Sequence, residues 1–429
     1  MVNNLRIGLG TPFARPVPGD RRWLRTGLFV AAAVVLGATL WLVRWSAGPS
    51  TATPDTFWYA RDAFRFAGVA EPRAELDAAR ITCSAMAHGT PRPTSRFRHG
   101  GTCLDYRSSL PQRAPQRFED IFTSRPGYAL LTTPFVWAFG PGGFALGTAF
   151  LGVACGVAVV GLALAAGLRP AQAFLAELVF YLLPTGLWTS RMLAEAPMIL
   201  CVLLALTGAV LLLRDTARIR AGALLAAGLA FCCVVKPANG VALSAALLVG
   251  SVPLFFFARW RPACLAIAGI AGIVLVGNGF VSSLLHLPGT SATLQDTFTR
   301  HYRHPDVPDV WPRLQDLAGE LWNDRILPQM HDNPLIPAGY LLGAAGLFTR
   351  LRGDVAWPLL LAGLTGAVVV TMHPLGSETD RLATVTWVPV ALGLAALTAP
   401  SRFRRPSGAE PPVPAAAPAP APAKEGAAP

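Results

Sequence analysis

Long apolar runs dominate this chain. The first, Leu28–Val43, follows Arg21, Arg22 and Arg25 and ends at Arg44 and Trp45. Others fall near residues 144–166, 172–188, 195–213, 220–235, 240–257, 263–285, 336–349, 355–371 and 383–400. A bilayer core of about 30 Å needs about 20 mostly apolar residues per helix, so the pattern predicts an all-α polytopic integral membrane protein with about ten transmembrane helices. Residues 220–235 and 336–349 are short for that purpose. The polar stretches are a long first loop, 45–127, a second at 286–335, and turns at 189–194, 236–239 and 372–382.

Composition agrees. The 429 residues are 53% hydrophobic and 14% charged, against about 25% charged in a soluble domain; the mean hydropathy is +0.45. The basic start and first run could open a signal peptide. The run is long for one, however, and no small-residue cleavage site follows, so it reads as a retained helix. Arginine position sets the orientation. Arg169, then Arg214, Arg218 and Arg220, then Arg259 and Arg261, then Arg350 and Arg352, then Arg402, Arg404 and Arg405 occupy alternate connections. By the positive-inside rule these face the cytoplasm with the N-terminus. Residues 1–26 are then a cytoplasmic segment, and 27–400 a cell-membrane, multi-pass domain whose loops 45–127 and 286–335 are extracytoplasmic. Residues 401–429 read as a cytoplasmic tail, basic and then Pro/Ala-rich, with a disordered composition.

The net charge of +12 is almost entirely arginine; the lysines are Lys236 and Lys424. No basic domain with interleaved aromatics stands apart from the apolar runs, which argues against nucleic acid. There is no internal repeat of the kind transporters carry, no phosphate-binding glycine loop and no nucleophile elbow. Cys155, Cys201, Cys232, Cys233 and Cys264 lie in apolar runs and read as small core residues. Cys83 and Cys103 lie together in the first loop. Outside the cytoplasm they could form a disulfide, worth roughly 3 kcal/mol for a ring of about 20 residues; two unpaired thiols is the alternative.

Few residues are left for chemistry. Asp55 follows the first run and precedes Phe57, Trp58 and Tyr59. It could simply cap a helix over Thr56–Gly68, with the aromatics as an interfacial belt. Lys236 stands at a helix end in a chain that otherwise uses arginine, against the positive-inside trend, and could be a functional cation or a snorkelling one. Arg125, Arg191 and Arg381 sit at loop–helix junctions on the same predicted face, with Glu195 and Asp380 beside them. His301 and His304 belong to a basic loop patch, and His373 precedes Pro374. No pair has metal-ligand spacing on a helix, so no metal and no cofactor is expected.

Taken in order, several stretches resemble the polytopic C-type (GT-C) membrane glycosyltransferases that use polyprenyl-phosphate sugars, the group with protein O-mannosyltransferases and aminoarabinose transferases. They are Asp55–Tyr59, Ser124-Arg-Pro-Gly-Tyr128 before Leu130–Phe139, Ser190-Arg-Met-Leu-Ala-Glu-Ala-Pro197, Cys233-Val-Val-Lys-Pro-Ala-Asn-Gly240 and Glu378-Thr-Asp-Arg381. The resemblance covers residues 20–400. Thr56 stands where many members carry a second acid, and no large soluble C-terminal domain is present.

The resemblance implies an inverting glycosyltransferase facing outward. Its donor would be a polyprenyl-phosphate sugar and its acceptor a cell-envelope glycan, lipid or protein. Asp55 would be the general base. Lys236, Arg191, Arg381, Arg125, Glu195, Asp380 and Tyr59 would bind substrate. One carboxylate suffices, because a lipid phosphate leaves as a stable anion and needs cations rather than an acid. A transporter or flippase of a lipid-linked substrate, or a non-catalytic assembly partner, are the rival readings.

Overall fold

A computed structural model of the chain describes residues 22–48, 50–87, 115–257, 261–302 and 304–399. These residues form helices throughout. The first, α1 (Arg22–Ala47), leads to a loop region built from α2 (Pro54–Phe66), α3 (Glu71–Ala87), α4 (Gln116–Thr123) and α5 (Gly127–Phe139). The main bundle follows with α6 (Gly142–Ala165), α7 (Pro170–Leu182), α8 (Pro184–Thr189), α9 (Glu195–Leu213), α10 (Arg218–Val235), α11 (Pro237–Phe257) and α12 (Arg261–Leu284). A second polar region holds α13 (Thr290–Phe298), α14 (Val310–Leu321), a π-turn at Trp322–Ile326 and α15 (Leu327–Asp332). The chain returns through α16 (Leu335–Arg350), α17 (Gly353–Met372), α18 (Thr379–Leu382), a 3₁₀ turn at Ala383–Thr386 and α19 (Trp387–Leu397).

Among the described residues, eight helices are long and apolar enough to cross a membrane. They are α1, α6, α9, α10, α11, α12, α17 and the continuous segment Thr379–Leu397. Two expected spans fall short of a full membrane crossing. Residues 172–188 do not form one helix: Pro184 lacks an amide proton and disfavours helical geometry at Leu183, which is extended (φ −78°, ψ 172°). The break frees carbonyls of Tyr181 and Leu182, and the Arg44 guanidinium donates to both. Residues 336–349 fall within the 16-residue α16.

The side chains sort by environment. Val35, Val249, Phe256, Leu265, Ile273, Val276, Phe280 and Leu341 are each more than half exposed. Apolar exposure on this scale is unstable in water and ordinary in lipid. At the centre, α9 is the most buried candidate span, with α10 and α6 packed against it. Small residues set the closest approaches, as in other membrane bundles. On the far side α19 crosses α16 so tightly that a Cβ at Gly393 would lie 1.9 Å from the Gly343 carbonyl oxygen.

The loop region is a small aromatic core rather than an interfacial belt. Phe57, Trp58 and Tyr59 are buried on α2, where Trp58 stacks on Phe122 and Tyr59 meets Phe122 and Tyr128 edge-on. Asp62 is bound to Arg61 (2.9 Å), which also pairs with Glu119 (2.6 Å) and lies over the Trp58 ring. This second acid of α2 is thereby committed to structure. Cys83 is disulfide-bonded; Cys103, its expected partner, lies outside the described residues. The N-terminal segment 1–21 and the tail 400–429 also lie outside them.

Gly393→Val puts a branched side chain into the α16–α19 backbone contact. We expect it to destabilise the fold by roughly 1–3 kcal/mol, the usual range for overpacking. The loss should appear as a lower midpoint of thermal unfolding in detergent.

Candidate functional site

Four chain breaks meet at one end of the bundle. Thr53 has extended geometry and precedes Pro54, so α2 starts there. Asp55 therefore sits in the first turn of α2 and is not its N-cap; the Thr53 amide donates to Thr56 Oγ1 (3.1 Å) instead. Thr56 Oγ1 donates in turn to the Met192 carbonyl (2.9 Å), tying α2 to the turn that leads into α9. That turn delivers Glu195 to the first position of α9. Pro237 ends α10 at Val235 and strands Lys236 in a non-helical link (φ −151°, ψ 84°) between two antiparallel helices. At the fourth break α17 stops at Met372, and the turn through His373 and Glu378 sets Arg381 on α18.

These breaks assemble one ion cluster. Arg381 uses its whole guanidinium: Nε meets Glu195 Oε1 (2.6 Å), Nη1 meets Glu378 Oε2 (2.9 Å) and Nη2 meets Asp55 Oδ2 (2.7 Å). Lys236 Nζ reaches the same Glu195 oxygen (2.7 Å). Side-chain exposure divides the roles. Glu195 is fully buried, and Lys236 and Arg381 are 8% and 11% exposed, whereas Asp55 and Glu378 keep 28% and 37%. The cluster thus has a closed centre and two carboxylates on an open edge.

Arg125 and Tyr59 complete the electrostatic frame. Arg125 acts on Tyr59, Lys236 and His373 and makes no ion pair among the described residues. Burial pushes the Tyr59 hydroxyl up to about 12, with Arg125, Asp55, Arg381 and Glu195 all within its field. Burial lowers Lys236, Glu195 opposes that, and Arg381 adds to it. Burial raises Glu378, against the pull of Arg381. His373 is held down to about 4, first by burial and then by Arg125 and Lys236.

Three buried polar groups around the cluster lack a partner among the described residues. They are Glu195 Oε2, both amide atoms of Asn239, and His373 Nδ1. Buried polar groups in folded proteins are nearly always bonded, so these mark positions where a polar ligand would be held. With Arg381 saturated by three carboxylates, the cations open to an anionic ligand are Lys236, which has two spare protons, and Arg125. No group of three potential metal ligands occurs among the described residues.

An apolar groove of about 380 Å³ is lined by α16, α17 and α19 together with the π-turn and α15. Thr379 and Asp380, the two residues between Glu378 and Arg381, are part of its lining. Tyr340 and Trp387, stacked at 4.6 Å, form part of its wall. Leu341 and Leu364 also line it and are 71% and 51% exposed, so its side faces the lipid-exposed surface.

Of the residues singled out from sequence, Asp55, Lys236, Glu195 and Arg381 come into direct contact. Tyr59 and Arg125 join their field, and Asp380 belongs to the groove. Arg191 does not join the contact network: it is buried against Gly48 and makes no ion pair among the described residues. Glu378, His373 and Asn239 are site residues that the pattern did not single out. Glu378 lies three residues before Arg381, His373 precedes a proline at a helix end, and Asn239 is one turn from Lys236; those positions were the available signals. Glu177, unlike these residues, lies away from a helix end. It is fully buried within α7, against Gly37 and Gly156, with both oxygens unpartnered among the described residues.

Two outcomes follow from this geometry. Arg381→Gln leaves Glu195 facing one cation and frees Asp55 and Glu378; truncating one member of a buried ion pair costs roughly 3–5 kcal/mol, to be read as a lower unfolding midpoint in detergent. His373 has a folded-state value below that of the unfolded chain, so the unfolded state binds the extra proton. Stability is therefore full above about pH 6.5 and declines toward about 4. His373→Gln should flatten that part of the stability–pH curve relative to wild type.

No protein-family model and no curated protein matches this chain, so the reading of the site rests on its own geometry and chemistry.

Proposed function

We propose that the protein is a membrane glycosyltransferase that moves a sugar from a polyprenyl-phosphate donor to a cell-envelope acceptor on the extracytoplasmic face, with inversion. In this reading α7 with α8, and α16, complete a ten-span C-type scaffold with both termini in the cytoplasm. The observation that carries it is a lipid-facing apolar groove that shares the Glu378–Arg381 segment with a buried cation-and-carboxylate cluster. A lipid-linked phosphate sugar has these two halves: a long apolar chain and an anionic, hydroxyl-rich head.

The residues divide the work by what they leave open. Lys236 and Arg125 meet the phosphate and stabilise the charge that grows on it as the sugar leaves. The groove holds the first units of the lipid. Asp55, on the open edge, accepts the proton of the attacking hydroxyl. The acceptor oxygen bonds the anomeric carbon from the face opposite the phosphate, and the carbon–phosphate-oxygen bond breaks with its electron pair on phosphate. Arg381 touches Asp55 and Glu195 together, so it holds the base at a fixed place relative to Lys236. Positioning of that kind supplies a large share of an enzymatic rate.

Glu177, a buried carboxyl with no partner among the described residues, is the feature that favours transport instead. Labelled lipid-linked sugar in sealed vesicles separates the two, since label moving to a new acceptor means transfer and label changing leaflet means flipping. For transfer, Asp55→Asn should lower kcat by roughly 10²–10⁴, the usual worth of a general base. Lys236→Gln should lower kcat as well as raise donor KM, because its charge is needed most as the phosphate leaves. Full transfer by the Asp55 variant in membranes would remove Asp55 from the chemistry.

A further inference from the structure

A second cavity lies at the same end of the bundle and is not used by the donor reading. It measures about 410 Å³ and is formed between α4 and the segment that follows α12. Six side chains with hydrogen-bonding groups line it: Arg117, Asp120, Thr123, Ser124, His286 and Tyr302. The remaining lining is apolar, from Leu285, Leu287, Pro288 and Ala292. Ser124 is the chain neighbour of Arg125, which faces Lys236 and His373. The cavity is thus reached one residue along the chain from Arg125, and the apolar groove through Thr379 and Asp380, the residues between Glu378 and Arg381.

The walls are held in place by specific contacts. Arg117 lies over the Tyr302 ring at 4.4 Å and pairs with Asp306 at 3.0 Å. Tyr302 donates its hydroxyl to the Ala292 carbonyl (2.5 Å), and its amide donates to Thr299 Oγ1 (2.9 Å). Three consecutive non-glycine residues, Arg300, His301 and Tyr302, hold left-handed φ values of 52°, 63° and 55°. Such conformations persist only where the surroundings impose them, and here they turn Tyr302 back toward α4. Asp120 accepts from Gln116 Nε2 on one oxygen (2.9 Å) and pairs with no cation among the described residues.

This lining selects a chemistry. Arg117 is matched by Asp306, so Asp120 carries the uncompensated charge and disfavours an anionic ligand. A carboxylate, two hydroxyls and an imidazole offer acceptors and donors at several angles, while the apolar patches suit C–H faces. The volume lies in the range of small-ligand pockets, about 300–1,000 Å³. From these features we infer that the cavity is the acceptor subsite and that it takes a neutral glycan, the terminal sugars of which bind between α4 and Tyr302. The inference rests on the transferase reading above and names its acceptor class.

The test uses source-cell membranes lacking the chain, complemented with the full-length wild type or a variant, and the cells' own labelled polyprenyl-phosphate sugar pool. Two products are followed: label joined to a macromolecule, and label released as free sugar by water. Asp120→Asn should lower transfer at least tenfold while free-sugar release continues at the wild-type rate. Thr123→Trp, at an exposed position of the lining whose hydroxyl donates to the Asp120 carbonyl of its own turn, should do the same by plugging the cavity, which guards against a misfolded Asp120 variant. The wild-type product should stay large after proteinase K digestion and lipid extraction. Unchanged transfer in both variants, or equal loss of transfer and release, overturns the acceptor subsite. Label converted by proteinase K to small fragments replaces the glycan with a protein acceptor. A wild type that neither transfers nor releases label removes the transferase reading itself.

Discussion

The contact between Arg381 and Glu195 sets the geometry of the site. A fully buried carboxylate at the start of α9 cannot stay ionised without cations, and it takes two, from Arg381 and Lys236. Arg381 then has two more nitrogens to place, and they reach Asp55 and Glu378. One guanidinium thereby ties its own turn, with Glu378, to the segments of Asp55 and Glu195, and Glu195 in turn holds Lys236. The planar fork of arginine makes this possible; a lysine at 381 has no rigid geometry with which to hold three carboxylates apart.

Such a cluster needs interruptions in the helices that carry it. Pro54 starts α2, Pro237 separates α10 from α11, and Pro374 follows the end of α17. Each break leaves a polar residue, Asp55, Lys236 or His373, at a helix end. The bundle beneath supplies rigidity through small-residue packing, as between α16 and α19, and an apolar groove that shares the Glu378–Arg381 segment with the cluster. Two different environments adjoin the chain segments that carry these charges. One is a greasy trough facing lipid, and the other is a polar cavity walled by the loop helices.

Part of this was legible in the chain. The apolar runs gave the class and most of the helices, because a membrane core imposes length and composition on each segment separately. Proline gave most of the breaks, and isolated ionisable groups at those breaks gave Asp55, Lys236, Glu195 and Arg381. Misreadings came where local signals compete. The run at 172–188 is apolar enough to read as one span, yet Pro184 divides it. Phe57, Trp58 and Tyr59 look like an interfacial belt but fill the core under α2. Asp55 looks like a cap, a role that Thr53 takes by position.

Sequence alone determined that this chain carries membrane-length apolar helices and that isolated ionisable groups fall at helix ends, since both depend on residues near one another. Which ions share a site was decided only by the fold. Arg381 and Asp55 are separated by most of the chain, and no periodicity links them. Glu378, His373 and Asn239 gain meaning from neighbours across space, and Arg191 was drawn toward the site by its motif yet lies against Gly48 instead. The physical reason is range: hydrophobic burial is written into every segment, while a charge finds its partner only after the segments have packed.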